Sequence, residues 1–60
     1  MEIKYVDYGV ASERLGVSES SLRRHVKNQT IPFFKLGKRV LFTLDDLDIW
    51  MAGKRIDPQV

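Results

Sequence analysis

Two arginines stand side by side at positions 23 and 24, and Lys27 follows within one helical turn. Lys35, Lys38 and Arg39 bring the bases between positions 23 and 39 to six, with no Asp or Glu among them. A guanidinium presents a planar fork of N–H donors that matches phosphate oxygens or the O6/N7 edge of guanine, and an ammonium supplies a point charge. The chemistry on offer is recognition of a polyanion. Between Thr43 and Trp50 the balance reverses, with three Asp and no base. The net charge is only +2, so the segregation of sign carries the signal and the sum does not.

Other chemistries lack material. The 60-residue chain has no cysteine and one histidine, so disulfides, thiolate zinc sites and an all-protein metal cage are not expected. The acids cluster where a helix would begin, and neither a nucleophile–base pairing nor a phosphate-cradling glycine loop is present. No catalytic residue and no cofactor site is expected.

The bases must be presented by something rigid, and the stretch from Leu15 to Val26 shows how. Gly16 can take the left-handed geometry that stops a helix. Ser18 carries the side-chain oxygen that accepts from the orphan N–H groups opening the next one. Only Val17 lies between stop and start, so the two helices must diverge sharply, with Val17 expected to plug the corner. Leu22 and Val26 fall four apart on one face of the second helix, while Ser20, Arg23, Arg24 and Lys27 fall elsewhere. An apolar back and an arginine-bearing front at a sharp angle is the layout of a DNA-reading helix-turn-helix.

The first helix is predicted over Asp7 to Leu15, capped by Asp7, with Tyr8, Ala11, Ser12 and Leu15 inward and Glu13 and Arg14 outward. Met1 to Val6 reads as a short extended lead-in packed on the core. The second helix runs from Glu19 to about Asn28, with Glu19 in the first turn where the helix dipole favours an acid, and with Asn28 as a left-handed cap. Pro32 takes the chain out of helix.

From Phe33 to Phe42 the pattern alternates and predicts a two-stranded hairpin with Gly37-Lys38-Arg39 at its tip. A three-residue tip, pairing Leu36 with Val40 and Phe34 with Phe42, keeps one apolar face and is the register expected. Phe33 and Leu41 then share the other face, either covering the fold or meeting a partner. Thr43 caps a third helix from Leu44 to about Met51, with Asp46 placed to reach back as in a capping box and with Leu44, Leu47, Trp50 and Met51 inward. Gly53 ends it, and positions 53–60 read as a flexible tail.

Sixty residues make one small domain, its core over about 7–51. Hydrophobic residues at 43% are sufficient for a core. No apolar run is long enough to span a membrane and the start has no signal-peptide pattern, so a cytoplasmic protein is expected. The fold class is α+β and mostly helical: three short helices with a β-hairpin wing between the second and third.

The order Leu15-Gly16-Val17-Ser18, then Leu22-Arg23-Arg24-His25-Val26, Ile31-Pro32-Phe33, Gly37-Lys38-Arg39 and Asp45-Asp46-Leu47-Asp48-Ile49-Trp50-Met51 resembles the excisionase-type DNA-binding domain. That family is a small winged helix-turn-helix related to the N-terminal domain of MerR regulators, and the resemblance covers about Asp7 to Met51. It implies that the second helix enters the major groove and that the hairpin wing meets an adjacent groove or the backbone. Two positions depart from the family pattern. Gln29 stands where glycine is usual after the second helix, and His25 where Trp or Leu is common.

The expected contacts follow. Arg23 and Arg24 are about 100° apart on the helix, so one is expected to reach a base edge and the other to grip phosphate; the sequence leaves open which does which. Ser20 and Ser21, in the leading turn, suit base or phosphate contacts. Lys38 and Arg39 at the wing tip reach phosphate or the minor groove, and Lys27 and Lys35 supply general attraction. His25 is expected to be a half-buried packing residue.

The expected activity is sequence-specific double-stranded DNA binding without catalysis. In the excisionase role the protein would act as a recombination directionality factor, binding cooperatively, bending DNA and assisting an integrase, with integrase or neighbouring protomers as partners. The alternative role is a small phage- or plasmid-type transcriptional regulator. The dimerisation helix and effector domain of MerR regulators have no counterpart in these residues, so no small-molecule effector is expected. From another class, a protein-interaction module using the Phe33–Leu41 face would have lost DNA binding.

Overall fold

The computed structural model describes residues 2–56 and 58. Six elements follow in order: β1 (Tyr5–Val6), α1 (Tyr8–Leu15), α2 (Glu19–Lys27), β2 (Phe34–Leu36), β3 (Arg39–Thr43) and α3 (Leu44–Ala52). This is the winged helix-turn-helix expected, with one addition: the lead-in becomes a strand. Tyr5 and Val6 pair antiparallel with Thr43 and Phe42, giving a three-stranded sheet of order β1-β3-β2.

Helix ends lie where local chemistry puts them. Asp7 Oδ1 accepts from Val10 N–H at 3.0 Å and starts α1. Gly16, at φ 70°, stops it, as Gly16 N–H donates to Glu13 O and Val17 N–H to Ser12 O, the paired bonds of a Schellman end. Ser18 Oγ then accepts from Ser21 N–H at 3.2 Å to open α2. Thr43 Oγ1 accepts from Asp46 N–H at 3.3 Å, so the last residue of β3 is also the cap of α3. Only this half of the expected capping box forms.

One core holds the unit together. Val6, Ala11, Leu22, Ile31, Phe42 and Leu47 are buried, one residue from β1, α1, α2, the loop after it, β3 and α3 respectively. Phe42, Leu22 and Leu47 are the largest fully buried side chains, each contributing about 1.5–3 kcal/mol by leaving water. Tyr8, Leu15, Val26, Phe33, Val40, Leu44 and Trp50 pack around them, half-buried. Ser12, buried on α1, donates its hydroxyl to Gly9 O at 2.9 Å and so carries no unmet polar group.

Four expectations need correcting. Val17 is 42% exposed and plugs nothing, because the Schellman bonds already close the corner. Met51 is exposed as well, leaving Leu47 as the deep contact of α3. Asn28 is right-handed at φ −86° and Gln29 takes the left-handed place at φ 57°. Gln29 N–H donates to Val26 O and Thr30 N–H to His25 O, so the same Schellman end that uses glycine at Gly16 uses glutamine here.

The hairpin register is the fourth. Leu36 pairs with Arg39, Lys35 with Val40 and Phe34 with Leu41 across a two-residue turn, Gly37-Lys38. Gly37 has φ 62° and Lys38 a negative φ, the pattern of a type II′ hairpin turn, whose twist matches that of the strands. The expected register rested on keeping an apolar face, but the wing extends past the core. Phe34 is 43% and Leu36 68% exposed, so no burial opposes the turn's preference. Phe33, expected beside Leu41, packs on the core instead. Leu41 shares its face with Phe34 and Leu36.

Of the expected tail, residues 53–55 continue α3 as hydrogen-bonded turns, Lys54 N–H to Met51 O and Arg55 N–H to Ala52 O. Lys54 Nζ lies 4.5 Å over the Trp50 ring. Ile56 is exposed. Met1 and positions 57, 59 and 60, parts of the expected lead-in and tail, lie outside the described residues.

Candidate nucleic-acid interface

The side chains of α2 divide by angle. Leu22 is fully buried, Ser21, His25 and Val26 are half-buried, and Ser20, Arg23, Arg24 and Lys27 are exposed. At about 100° per residue the exposed four form one outer face, with Ser20 and Lys27 near its midline and the arginines on its two flanks. Arg24 and Lys27 make no ion pair among the described residues. Both lie in the last turn, where the negative end of the helix dipole favours a base.

Arg23 is in different surroundings. Its guanidinium carbon lies 4.4 Å from the centre of the Tyr8 ring, and Nη2 lies 3.6 Å from Glu19 Oε1. The arginine flank that faces α1 is thus engaged within the protein, while the Arg24 flank is open. Ser21 belongs to the cap: its N–H donates to Ser18 Oγ, and its own Oγ accepts from the Ser18 hydroxyl at 3.1 Å. Ser20 is exposed and uncommitted.

The C-terminal end of α2 is pinned to α3. His25 Nδ1 lies 2.7 Å from Thr30 Oγ1, Trp50 Nε1 donates to Thr30 O at 2.7 Å, and the His25 and Trp50 rings meet edge-on at 5.2 Å. His25 therefore packs as expected. The polar tip of the imidazole serves the loop that carries the chain from α2 to the wing.

In the wing, Lys38 lies in the turn and Arg39 at the start of β3, both exposed. Cross-strand partners share a face. Arg39 therefore lies with Leu36, Phe34 and Leu41 on the outer face, while Lys35 lies with Val40 and Phe42 on the core side. Tyr5 reaches Phe34 edge-on at 5.3 Å, so this outer face is an exposed apolar surface edged by bases. A shallow hollow of about 270 Å³ lies between Tyr5, Phe34, Lys35, Leu36 and Leu41.

One ion pair joins the first and third helices. Arg14 Nε and Nη2 donate to Asp48 Oδ1 and Oδ2 at 3.2 and 2.8 Å. The hydrogen bond from Arg14 and its charge hold the Asp48 carboxyl below its usual range, and Asp48 raises the Arg14 guanidinium in turn. Asp48 is the acid of the Asp45-Asp46-Asp48 group that forms a hydrogen-bonded ion pair among the described residues, while Asp45 adds a weaker charge attraction on Arg14. Sequence reading missed it because the pair is separated by 34 positions. Among the described residues no group of His, Cys, Asp or Glu gathers to hold a metal, and no helix is long and apolar enough to cross a membrane.

A sharp turn between two short helices, a basic outer face on the second, and a hairpin with bases at its tip together form the layout of a groove-reading unit. Residues 10–55 match the helix-turn-helix domain family. The chain belongs to the excisionase-type helix-turn-helix family. Comparison with curated proteins and with solved structures returns no match. Family membership supports sequence-specific binding of double-stranded DNA. Gln29, where the family usually carries glycine, occupies a left-handed position in this chain, which accounts for glycine's usual place there.

Proposed function

We propose that this protein is a recombination directionality factor that binds repeated DNA sites cooperatively, bends the duplex and assists an integrase in assembling an excisive complex. The observation that carries the DNA contact is the outer face of α2, where Arg24, Lys27 and Ser20 stand exposed and unspent beside Arg23. Arg24 is assigned the base edge, a bidentate contact to guanine O6 and N7, since no ion pair or hydrogen bond among the described residues engages its fork. Arg23 and Lys27 take phosphates, Ser20 a base or phosphate in the leading turn, and Ser21 supports that turn through its cap. Lys38 and Arg39 reach phosphate or the minor groove from the wing, and Lys35 adds general attraction.

One recognition helix and one wing give a small footprint, so high specificity requires neighbours on the DNA. The exposed Tyr5–Phe34–Leu36 face supports a protein contact alongside it, with a neighbouring protomer or the integrase. A gel-shift titration against DNA flanking its own gene, with excess random competitor, tests the reading. A ladder of competitor-resistant bands is expected. A single step would instead indicate a single-operator transcriptional regulator. No shift even at low salt would overturn DNA binding in favour of a protein-interaction module built on the apolar face.

A further inference from the structure

We propose that Tyr8 and Glu19 are positioning residues for Arg23, with Tyr8 holding the guanidinium flat and Glu19 retaining it until a DNA phosphate takes its place. This rests on the DNA-binding reading above.

The arrangement is a column running from the core to the surface. Phe42 is fully buried, the Tyr8 ring meets it edge-on at 5.5 Å, and the Arg23 guanidinium carbon lies 4.4 Å above the Tyr8 ring. Each member is fixed by the one beneath it, so the orientation of an exposed arginine is set by the core. Glu19 completes the arrangement from the side. Its Oε1 is 3.6 Å from Arg23 Nη2, close enough for charge attraction and too long for a good hydrogen bond. Among the described residues the guanidinium makes no hydrogen bond, so all its donors remain available.

Glu19 also stands close to Gly9 in the first turn of α1. A Cβ on Gly9 would lie 4.0 Å from Glu19 Oε2 and 3.4 Å from Asp7 Oδ1. The carboxylate thus rests against the first turn of α1 while belonging to the first turn of α2, and both helix starts favour an anion. An incoming phosphate meets a held, flat, donor-rich fork and must displace a weak internal rival. Holding the side chain in advance removes an ordering cost worth roughly two- to tenfold in affinity. The rival works the other way, lowering affinity for any DNA whose phosphate must displace it.

The test is binding of a duplex carrying the specific site and of a random duplex, titrated over a range of salt. Tyr8→Leu should weaken binding roughly two- to tenfold, and Tyr8→Phe, which keeps the ring, should recover most of that loss. Added to Arg23→Ala, Tyr8→Leu should cost nothing further, because the residue it positions is gone. Glu19→Gln, on an exposed side chain that leaves the core intact, should tighten binding to both duplexes. Glu13→Gln removes the same charge from exposed α1 surface and should tighten binding less.

Additive losses for Tyr8→Leu and Arg23→Ala, or equal gains for Glu19→Gln and Glu13→Gln, would overturn the proposal while leaving DNA binding in place. Absence of binding by the unaltered protein at low salt would overturn the DNA reading itself. Thermal melts of each variant separate lost folding from lost positioning, and the Glu19 arm decides the matter should Tyr8→Leu fail to fold.

Discussion

Arg23 and Arg24 are neighbours in the chain and separate in their surroundings. Arg23 leans on Tyr8 and Glu19 of the protein, and among the described residues the Arg24 fork has no partner. Removing Arg24 should therefore be felt where base identity matters. Arg24→Ala is expected to cost about 1–3 kcal/mol for the specific duplex and far less for a random one, as competition binding with the two duplexes would show. Lys38, in the wing turn, is assigned to the backbone and should behave differently. Lys38→Ala is expected to weaken both duplexes alike and to lower the slope of log K against log salt by about 0.9, the amount for one phosphate contact. A loss confined to the specific duplex would reassign Lys38 to base reading.

At the scale of the elements, both ends of the turn between α1 and α2 are well made, and the far end of α2 is not. Gly16 takes its left-handed geometry without a Cβ penalty, and Gln29 takes the same geometry with one. The left-handed region costs a side-chain-bearing residue about 1–2 kcal/mol, offset in part by the greater chain entropy of unfolded glycine. Gln29→Gly should accordingly stabilise the fold by about 0.5–1 kcal/mol, raising the melting temperature by roughly 2–8 °C in a domain of this size. A calorimetric melt with unchanged or lower midpoint would show that the Gln29 side chain has a compensating contact. The wing illustrates the same competition. Turn geometry at Gly37-Lys38 set its register because Phe34 and Leu36, the side chains that the other register would have turned inward, stand exposed beyond the core.

For the molecule as a whole, stability depends on a few deep contacts and on ties between distant elements. Leu22 faces inward from the recognition helix and is fully buried. Leu22→Ala should cost about 2–5 kcal/mol, against a total of roughly 3–9 kcal/mol for 60 residues; circular dichroism at 25 °C should show a largely unfolded or marginal chain. The Arg14–Asp48 tie sets an acid dependence. The Asp48 carboxyl is depressed below its ordinary value of 3.8, first by the hydrogen bond from Arg14. A depressed folded-state value contributes stability that is present above the unfolded value and lost as pH falls through the folded one. Asp48→Asn should therefore be slightly less stable at neutral pH and decline less steeply below the usual aspartate range in urea melts. The side chains are about half exposed, so the effect is small.

The amino-acid sequence determined by itself the three helices, their starts and the end of the first, but not the left-handed end of α2, which fell on Gln29 and not on Asn28. Asp7, Ser18 and Thr43 as caps, Gly16 as the stop and the Leu22–Val26 back of the second helix are signals that act within four residues, and the folded chain obeys them. The exposed face of α2 was legible for the same reason, since periodicity alone turns Ser20, Arg23, Arg24 and Lys27 away from Leu22. The tertiary structure decided what depends on distant or competing partners. It added β1 to the sheet, chose the hairpin register once the wing was found to project beyond the core, and joined Arg14 to Asp48 across 34 positions. It also told the two arginines apart, by placing Tyr8 under one of them. A local pattern specifies which face a side chain is on, but only the packing of α1 against α2 specifies what else is on that face.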